Sequence, residues 1–159
     1  MKISIICVGK IKESYFKDAI SEYTKRLSKY CKLDILEVSD EKTPDHTSEV
    51  QEEQIKSKEA ERITKHIKED MYVIALTIEG NKLNSEALAD KINKLGIAGK
   101  SNLAFLIGGS LGLHDSLKKR ADYELSFSDM TFPHQLMRVI LTEQIYRSFR
   151  INTNEPYHK

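Results

Sequence analysis

The stretch that decides the fold is Asn102–Gly112, NLAFLIGGSLG, in which an unbroken apolar run meets a cluster of glycines. A continuous apolar run is typical of a central strand covered on both faces, because a half-exposed strand would alternate polar and apolar residues. Glycines permit positive φ angles and let backbone N–H groups approach a ligand. Ligands bind outside the carboxyl ends of strands in an open parallel sheet, so this loop is predicted to border a binding site.

Strands and helices alternate on both sides of this stretch. Strands are predicted at 2–8, 33–38, 71–78, 102–107 and 123–127, and helices at 14–29, 48–69, 84–95 and 133–149. This alternation predicts an α/β fold with a mostly parallel sheet flanked by helices. A chain of 159 residues is expected to form one domain, residues 1–159, around a single core.

The net charge of +1 argues against a protein that grips naked nucleic acid by bulk electrostatics. The charges are unevenly distributed, however. Residues 1–32 carry eight Lys or Arg against three acids, which gives +5, and residues 33–70 carry six against twelve, which gives −6. An RNA-binding surface would therefore be local, and a solvated helix face explains the first segment more simply.

Cysteine content and hydropathy argue against a metal-binding protein and against a membrane protein. Cys7 and Cys31 lie far apart with no histidine or second cysteine at metal-ligand spacing, so buried free thiols and no metal site are expected. No apolar run reaches the roughly 20 residues of a membrane span, and the first strand does not read as a signal peptide. We therefore expect a cytoplasmic protein without a membrane partner.

The glycine segment taken alone leaves three interpretations open. It is not a dinucleotide fingerprint, because Ser110 replaces the middle glycine, and it has no lysine for a phosphate-binding loop. A purely structural tight turn explains it equally well. Asp129 follows at about the twenty-residue distance of a ribose-binding acid, so a dinucleotide-binding oxidoreductase stays open, although that fingerprint belongs after a first strand.

The last helix and the tail contain further candidates. The helix combines an apolar body with Arg138, Glu143 and Arg147. Two interpretations of these charges stay open: they form ion pairs with one another, or the arginines contact RNA. Apolar residues around nearly all of its circumference predict dimerisation through this helix. The tail, residues 157–159, joins an aromatic ring, an imidazole and a lysine, which suits base stacking and phosphate contact, although most termini simply fray.

Four motifs together resemble one family: FLIGGSLG at 105–112, LSFSDMTFPH at 125–134, Arg138 with EQIYR at 143–147, and PYH at 156–158. The chain is similar throughout its length to the ribosomal large-subunit pseudouridine N3-methyltransferases of the SPOUT, or α/β-knot, superfamily. The resemblance implies a homodimer with a C-terminal trefoil knot, in which the last helix threads past the glycine loop. Composition and periodicity do not indicate a knot, since knots are nearly absent from folds.

The resemblance also implies a reaction and a site. Its members use S-adenosyl-L-methionine to methylate N3 of a pseudouridine in helix 69 of 23S ribosomal RNA, within the assembled ribosome. The implied cofactor-binding residues are Leu76, Gly108, Phe127, Ser128, Asp129, Met130, Thr131 and Phe132. The implied catalytic residues are Tyr157 and His158, and the implied RNA contacts are Arg138, Arg147 and Lys159. A ribosome-binding module without catalytic activity remains the alternative from a different class.

Overall fold

The computed structural model describes residues 1–159 and contains five strands and five helices. In chain order they are β1 (Lys2–Val8), α1 (Ser14–Leu27), β2 (Lys32–Val38), α2 (Glu49–Thr64), β3 (Tyr72–Lys82), α3 (Ser85–Ile97), β4 (Asn102–Ile107), α4 (Asp115–Arg120), β5 (Tyr123–Ser126) and α5 (His134–Asn152). All five predicted strands are present. The short helix α4 was not predicted, and α2 ends at Thr64 instead of Glu69.

The strands form one sheet in the order β2-β1-β4-β3-β5, and every neighbouring pair is parallel. The predicted α/β class with a parallel sheet is therefore confirmed. β4 occupies the centre, where Leu103 and Phe105 face one apolar cluster and Ala104 and Leu106 face the other. Helices α1, α3 and α5 cover the first cluster, and α2 and α4 cover the second. This double cover explains why the β4 sequence is apolar without alternation.

Helix α2 begins at a capping box, in which Ser48 and Gln51 bond to each other's backbone N–H groups. Its buried positions are Glu59, Ala60 and Ile63, so most of the helix faces water, as its charged sequence predicts. Val50, an apolar residue in the first turn of α2, lies outside this buried face, since its side chain is 68% exposed.

A bulge in β3 shapes the carboxyl edge of the sheet. Leu125 of β5 pairs first with Leu76 and again with Asn81, so residues 77–80 loop out between these two pairings. Gly80 closes the bulge, because a Cβ there would lie 2.8 Å from the carbonyl carbon of Glu124. The bulge therefore stands above the sheet edge at the position where parallel sheets bind ligands.

Both cysteines are buried and free, as expected. None of the helices has the length and apolar content that crossing a membrane requires.

Candidate functional site

A cavity of about 810 Å³ opens at the carboxyl edge of β3, β4 and β5. Its wall is formed by the end of β3 with its bulge, by the glycine loop 107–113, and by the segment 125–134. The structure thus brings Leu76, Gly108 and the 127–132 segment together, and of these residues only Asp129 does not line the cavity. Bulge residues Thr77, Ile78 and Glu79, with Lys56 and Lys118, complete the wall and were not predicted.

The glycine loop is a tight turn as well as a wall of the cavity. The N–H of Gly112 donates to the carbonyl of Gly109 at 3.1 Å, and Gly112 has a φ of +81°. A Cβ on Gly108 would lie 2.5 Å from the carbonyl carbon of Gly112. The loop's own backbone therefore requires glycine at 108, which supports the tight-turn interpretation alongside the ligand-binding one.

A buried carboxylate lies beneath this loop. Glu59 of α2 is 5% exposed and accepts a hydrogen bond from the backbone N–H of Glu41 at 3.1 Å. A Cβ on Gly109 would lie 3.1 Å from a carboxylate oxygen of Glu59. Burial raises the pKa of the Glu59 carboxyl, although the hydrogen bond from Glu41 opposes that shift. No sequence pattern indicated this contact, because Glu59 is one of many charged residues in α2.

His134 lines the cavity at the start of α5. Its Nδ1 is buried without a hydrogen-bond partner, and a Cβ on Gly9 would lie 3.4 Å from the imidazole Cε1. Burial lowers the pKa of His134, and the charge of Arg138 lowers it further while Asp40 opposes. The ring is therefore neutral at pH 7, and its buried Nδ1 has no hydrogen-bond partner within the protein.

The expectation that Arg138 contacts RNA is corrected by its burial. Arg138 has no exposed surface, and its Nη2 donates to the carbonyls of Val8 at 2.6 Å and Gly9 at 2.7 Å. Its Nη1 lies 3.8 Å from a carboxylate oxygen of Glu37. The guanidinium thus ties α5 to the end of β1 and presents no group to a macromolecule. It does not pair with Glu143, whose partner is Arg147.

Asp129 and Lys159 also lie apart from the cavity. The Asp129 side chain is 81% exposed and forms an ion pair with Lys82 at the end of β3. Lys159 is exposed at the terminus. Asp129 is therefore oriented toward solvent, which removes it from the position that a ribose-binding acid would occupy.

The tail folds back on α5 of the same chain. The Tyr157 hydroxyl donates to Glu143 at 3.0 Å, and its ring packs edge-on against Tyr146 with 4.9 Å between centroids. Burial raises the pKa of Tyr157 above its ordinary value, and the hydrogen bond to Glu143 adds to that effect. In this conformation the phenol stays protonated, so Tyr157 donates a hydrogen bond and does not serve as a base.

Arg147 connects the tail to the helix. Its guanidinium donates twice to Glu143, at 3.0 and 2.6 Å, and lies 4.7 Å from the Tyr157 ring centroid. The Nδ1 atom of His158 lies 3.3 Å from Nη1 of Arg147, and its Nε2 atom lies 3.5 Å from a carboxylate oxygen of Glu86 in α3. None of the tail residues lines the cavity of its own chain. No group of His, Cys, Asp or Glu side chains is placed to hold a metal ion.

A parallel α/β sheet with a glycine-walled cavity at its carboxyl edge is typical of proteins that bind small molecules. The family model described as a predicted SPOUT methyltransferase matches residues 1–158. Proteins called ribosomal RNA large subunit methyltransferase H from Bifidobacterium adolescentis and Clostridium novyi are 65% and 63% identical, and each alignment covers all of both chains. A solved structure of a probable methylase family protein from Haemophilus influenzae is similar with a TM-score of 0.56 and 15% identity, over 99% of this chain and 70% of that one. The chain therefore belongs to the SPOUT methyltransferase family and, within it, to the ribosomal RNA large subunit methyltransferase H family.

Proposed function

We propose that this protein transfers a methyl group from S-adenosylmethionine to N3 of a pseudouridine in 23S ribosomal RNA, in helix 69 of the assembled ribosome. The observation that carries the proposal is the cavity, which is walled by the glycine loop and the 125–134 segment. It occurs in a chain 65% identical to a protein called ribosomal RNA large subunit methyltransferase H. In this proposal a single domain, residues 1–159, binds both the cofactor and the target base. Because the substrate is the ribosome, the reaction takes place in the cytoplasm.

The cavity suits S-adenosylmethionine in size and character. At about 810 Å³ it lies within the usual range for small-molecule sites, roughly 300 to 1,000 Å³. Leu76, Ile107 and Phe127 offer apolar surface to an adenine ring, and the neutral imidazole of His134 forms another part of the wall. The glycine loop presents backbone close to the cavity without side chains at 108 and 109. A dinucleotide-binding oxidoreductase is disfavoured, because this loop follows the fourth strand and Asp129 faces away.

When bound, S-adenosylmethionine supplies an electrophilic methyl group on a cationic sulfonium. The protein's principal contribution is then to align donor and acceptor at roughly 3 to 3.5 Å. The N3–H proton of the base must leave, and a proton acceptor within hydrogen-bond reach would assist. His134 is neutral and lines the cavity, whereas His158 of the tail lies outside it. We therefore rank His134 first among the proton acceptors of the chain itself, ahead of Asp129 and Glu143. His158 becomes a candidate only where a partner chain brings its tail to the cavity.

A second copy of the chain would complete the site. The tail lies on α5, outside the cavity of its own chain, so a tail supplied by a partner is the simplest way to bring Tyr157 and His158 to the cofactor. The helix buries one face against α1 and α3 and leaves Leu136, Val139 and Ile140 partly accessible. The route of the chain from edge strand β5 past the glycine loop into α5 is compatible with the trefoil knot implied by the resemblance.

We expect the protein to sediment at micromolar concentration as a species of twice the 18.3 kDa chain mass. Ile140→Glu should shift it toward monomer, because a buried unpaired carboxylate is costly at an apolar interface. Ile97→Glu is the matched control, since Ile97 of α3 is already 79% exposed. A wild-type protein that sediments only as single chains would remove the dimer and the partner-supplied tail together.

The proposed reaction is tested by incubating the protein with methyl-labelled S-adenosylmethionine and either whole ribosomes or free 23S RNA. Label is expected in RNA recovered from ribosomes, at N3 of one pseudouridine, with far less on free RNA. Nucleoside analysis by mass spectrometry identifies the modified base. Binding to ribosomes without label transfer would instead support a module without catalytic activity.

A further inference from the structure

The segment between β1 and α1 lies beside the cavity mouth. Gly9 packs against His134, which lines the cavity, and the backbone N–H of Lys12 donates to the Gln135 side chain at 3.2 Å. β1 neighbours β4 in the sheet, so the segment also adjoins the glycine loop across the sheet edge. None of residues 9–17 lines the cavity, but a macromolecule that reaches it from the side of His134 would contact this segment.

This segment carries free positive charge. Lys10, Lys12 and Lys17 are all exposed, and none of them takes part in an ion pair. Some lysines elsewhere are held in ion pairs, as Lys2 is with Asp34 and Lys118 with Glu79, whereas others, such as Lys65 and Lys100, are unpaired as well. The exposed acids Glu13 and Asp18 lie in the same stretch, so residues 10–18 carry a net charge of +1. The three ammonium groups are nevertheless accessible to an anionic partner.

An exposed aromatic ring stands between Lys12 and Lys17 in the sequence. Tyr15, in the first turn of α1, is 63% exposed. It is supported by Phe16, whose ring meets it edge-on at 4.6 Å between centroids. The outer face of the Tyr15 ring is therefore held in place and open to solvent, which is the arrangement on which an unpaired base stacks.

We propose that these four residues, Lys10, Lys12, Tyr15 and Lys17, form a basic rim that binds the RNA strand flanking the target nucleotide. The lysines meet phosphates and Tyr15 stacks on a neighbouring unpaired base. This inference rests on the proposed function, because it requires an RNA substrate at the adjacent cavity. It assigns RNA contact to residues 10–17, whose positive charge the sequence alone explained more simply as a solvated helix face.

An RNA strand fits this surface better than a second copy of the chain does. The acidic segment 33–70 could offer carboxylates to the rim, but that contact would join two different surfaces of the protein. Contacts between unlike surfaces extend into open assemblies unless the rotation closes a ring. A nucleic acid instead provides phosphates at regular spacing together with rings for Tyr15.

The test compares wild-type protein with Lys10→Gln/Lys12→Gln/Lys17→Gln and, separately, Tyr15→Leu. The matched control is Lys65→Gln/Lys68→Gln/Lys100→Gln, which removes three exposed lysines near the starts of β3 and β4, at the opposite edge of the sheet. Affinity for a labelled helix 69 stem-loop RNA and for ribosomes is measured by binding alone, at several salt concentrations. Methyl transfer and S-adenosylmethionine affinity are measured in parallel.

For the rim triple variant we expect RNA affinity to fall roughly ten-fold or more, and the salt slope to fall by about two, since each phosphate contact contributes about 0.7 to 0.9. The KM for ribosomes should rise while S-adenosylmethionine affinity stays unchanged. Tyr15→Leu should weaken RNA binding about five-fold or more without altering the salt slope. The control triple should behave as wild type.

Equal behaviour of the rim and control triples would overturn the proposal. So would a change of oligomeric state in the rim variants, which would make the surface an interface between copies. Failure of the proposed function gives a different result, because wild-type protein would then transfer no label or would label another position. The comparison of RNA affinity between the rim and control variants would still test the basic rim.

Discussion

Gly108→Ala is expected to lower S-adenosylmethionine affinity at least ten-fold, which corresponds to roughly 1.4 kcal/mol. The added Cβ would lie 2.5 Å from the carbonyl carbon of Gly112 and 2.8 Å from the backbone nitrogen of Leu113. Neither atom is the end of a flexible side chain, so the turn from Gly109 to Gly112 must open. Because this turn walls the cavity, the cofactor would meet a displaced surface. Calorimetric titration on the folded variant measures the effect.

Gly96→Ala is the control for this substitution. Gly96 lies in α3, away from the cavity, and its Cβ would meet only the flexible end of Met1, at 3.1 Å. Alanine also favours a helix over glycine by roughly 1 kcal/mol, so this variant should bind the cofactor normally and unfold no earlier. Unchanged affinity in Gly108→Ala, with the same thermal unfolding as wild type, would show that the loop does not shape the cofactor site.

The position of the candidate site could be predicted from the sequence because the glycine segment, unspecific by itself, directly follows a strand predicted to be buried. The apolar run of β4 and the glycines after it fix both a central strand and the loop at its carboxyl end. The structure places that loop against the cavity, together with the 125–134 segment that follows β5. Both signals depend on residues within a few positions of each other, which is the range over which periodicity and turn chemistry act.

The parts that were missed depend on contacts distant in sequence. Helix α4 has a single buried residue, Leu117, so it shows no periodicity to detect. The β3 bulge arises from the pairing of Leu125 with both Leu76 and Asn81. Arg138 was predicted to contact RNA or to pair with Glu143, yet its partners are carbonyls at Val8 and Gly9, about 130 residues earlier. Sequence alone does not reveal which distant acceptor buries a charge.

A protein ending at Glu155 is expected to bind S-adenosylmethionine normally yet transfer methyl groups to ribosomes about one to two orders of magnitude more slowly. None of the four deleted residues lines the cavity, so cofactor affinity has no reason to change. Their loss removes the Tyr157 contact with Glu143, but that carboxylate keeps both hydrogen bonds from Arg147. Stacking of a base on Tyr157 contributes roughly 1 to 3 kcal/mol, which sets the size of the expected loss.

The rates are compared at saturating cofactor, with sedimentation to confirm that the truncated protein keeps its oligomeric state. Tyr157→Phe separates the two functions of the residue, because it keeps the ring and removes only the hydroxyl that donates to Glu143. If stacking dominates, Tyr157→Phe should retain most of the activity, whereas His158→Ala reports separately on the imidazole as proton acceptor. Comparable rates for truncated and full-length protein would mean that the tail serves only to cover Tyr146 on α5. The proton acceptor would then be sought at His134, the one imidazole that the structure places in the cavity wall.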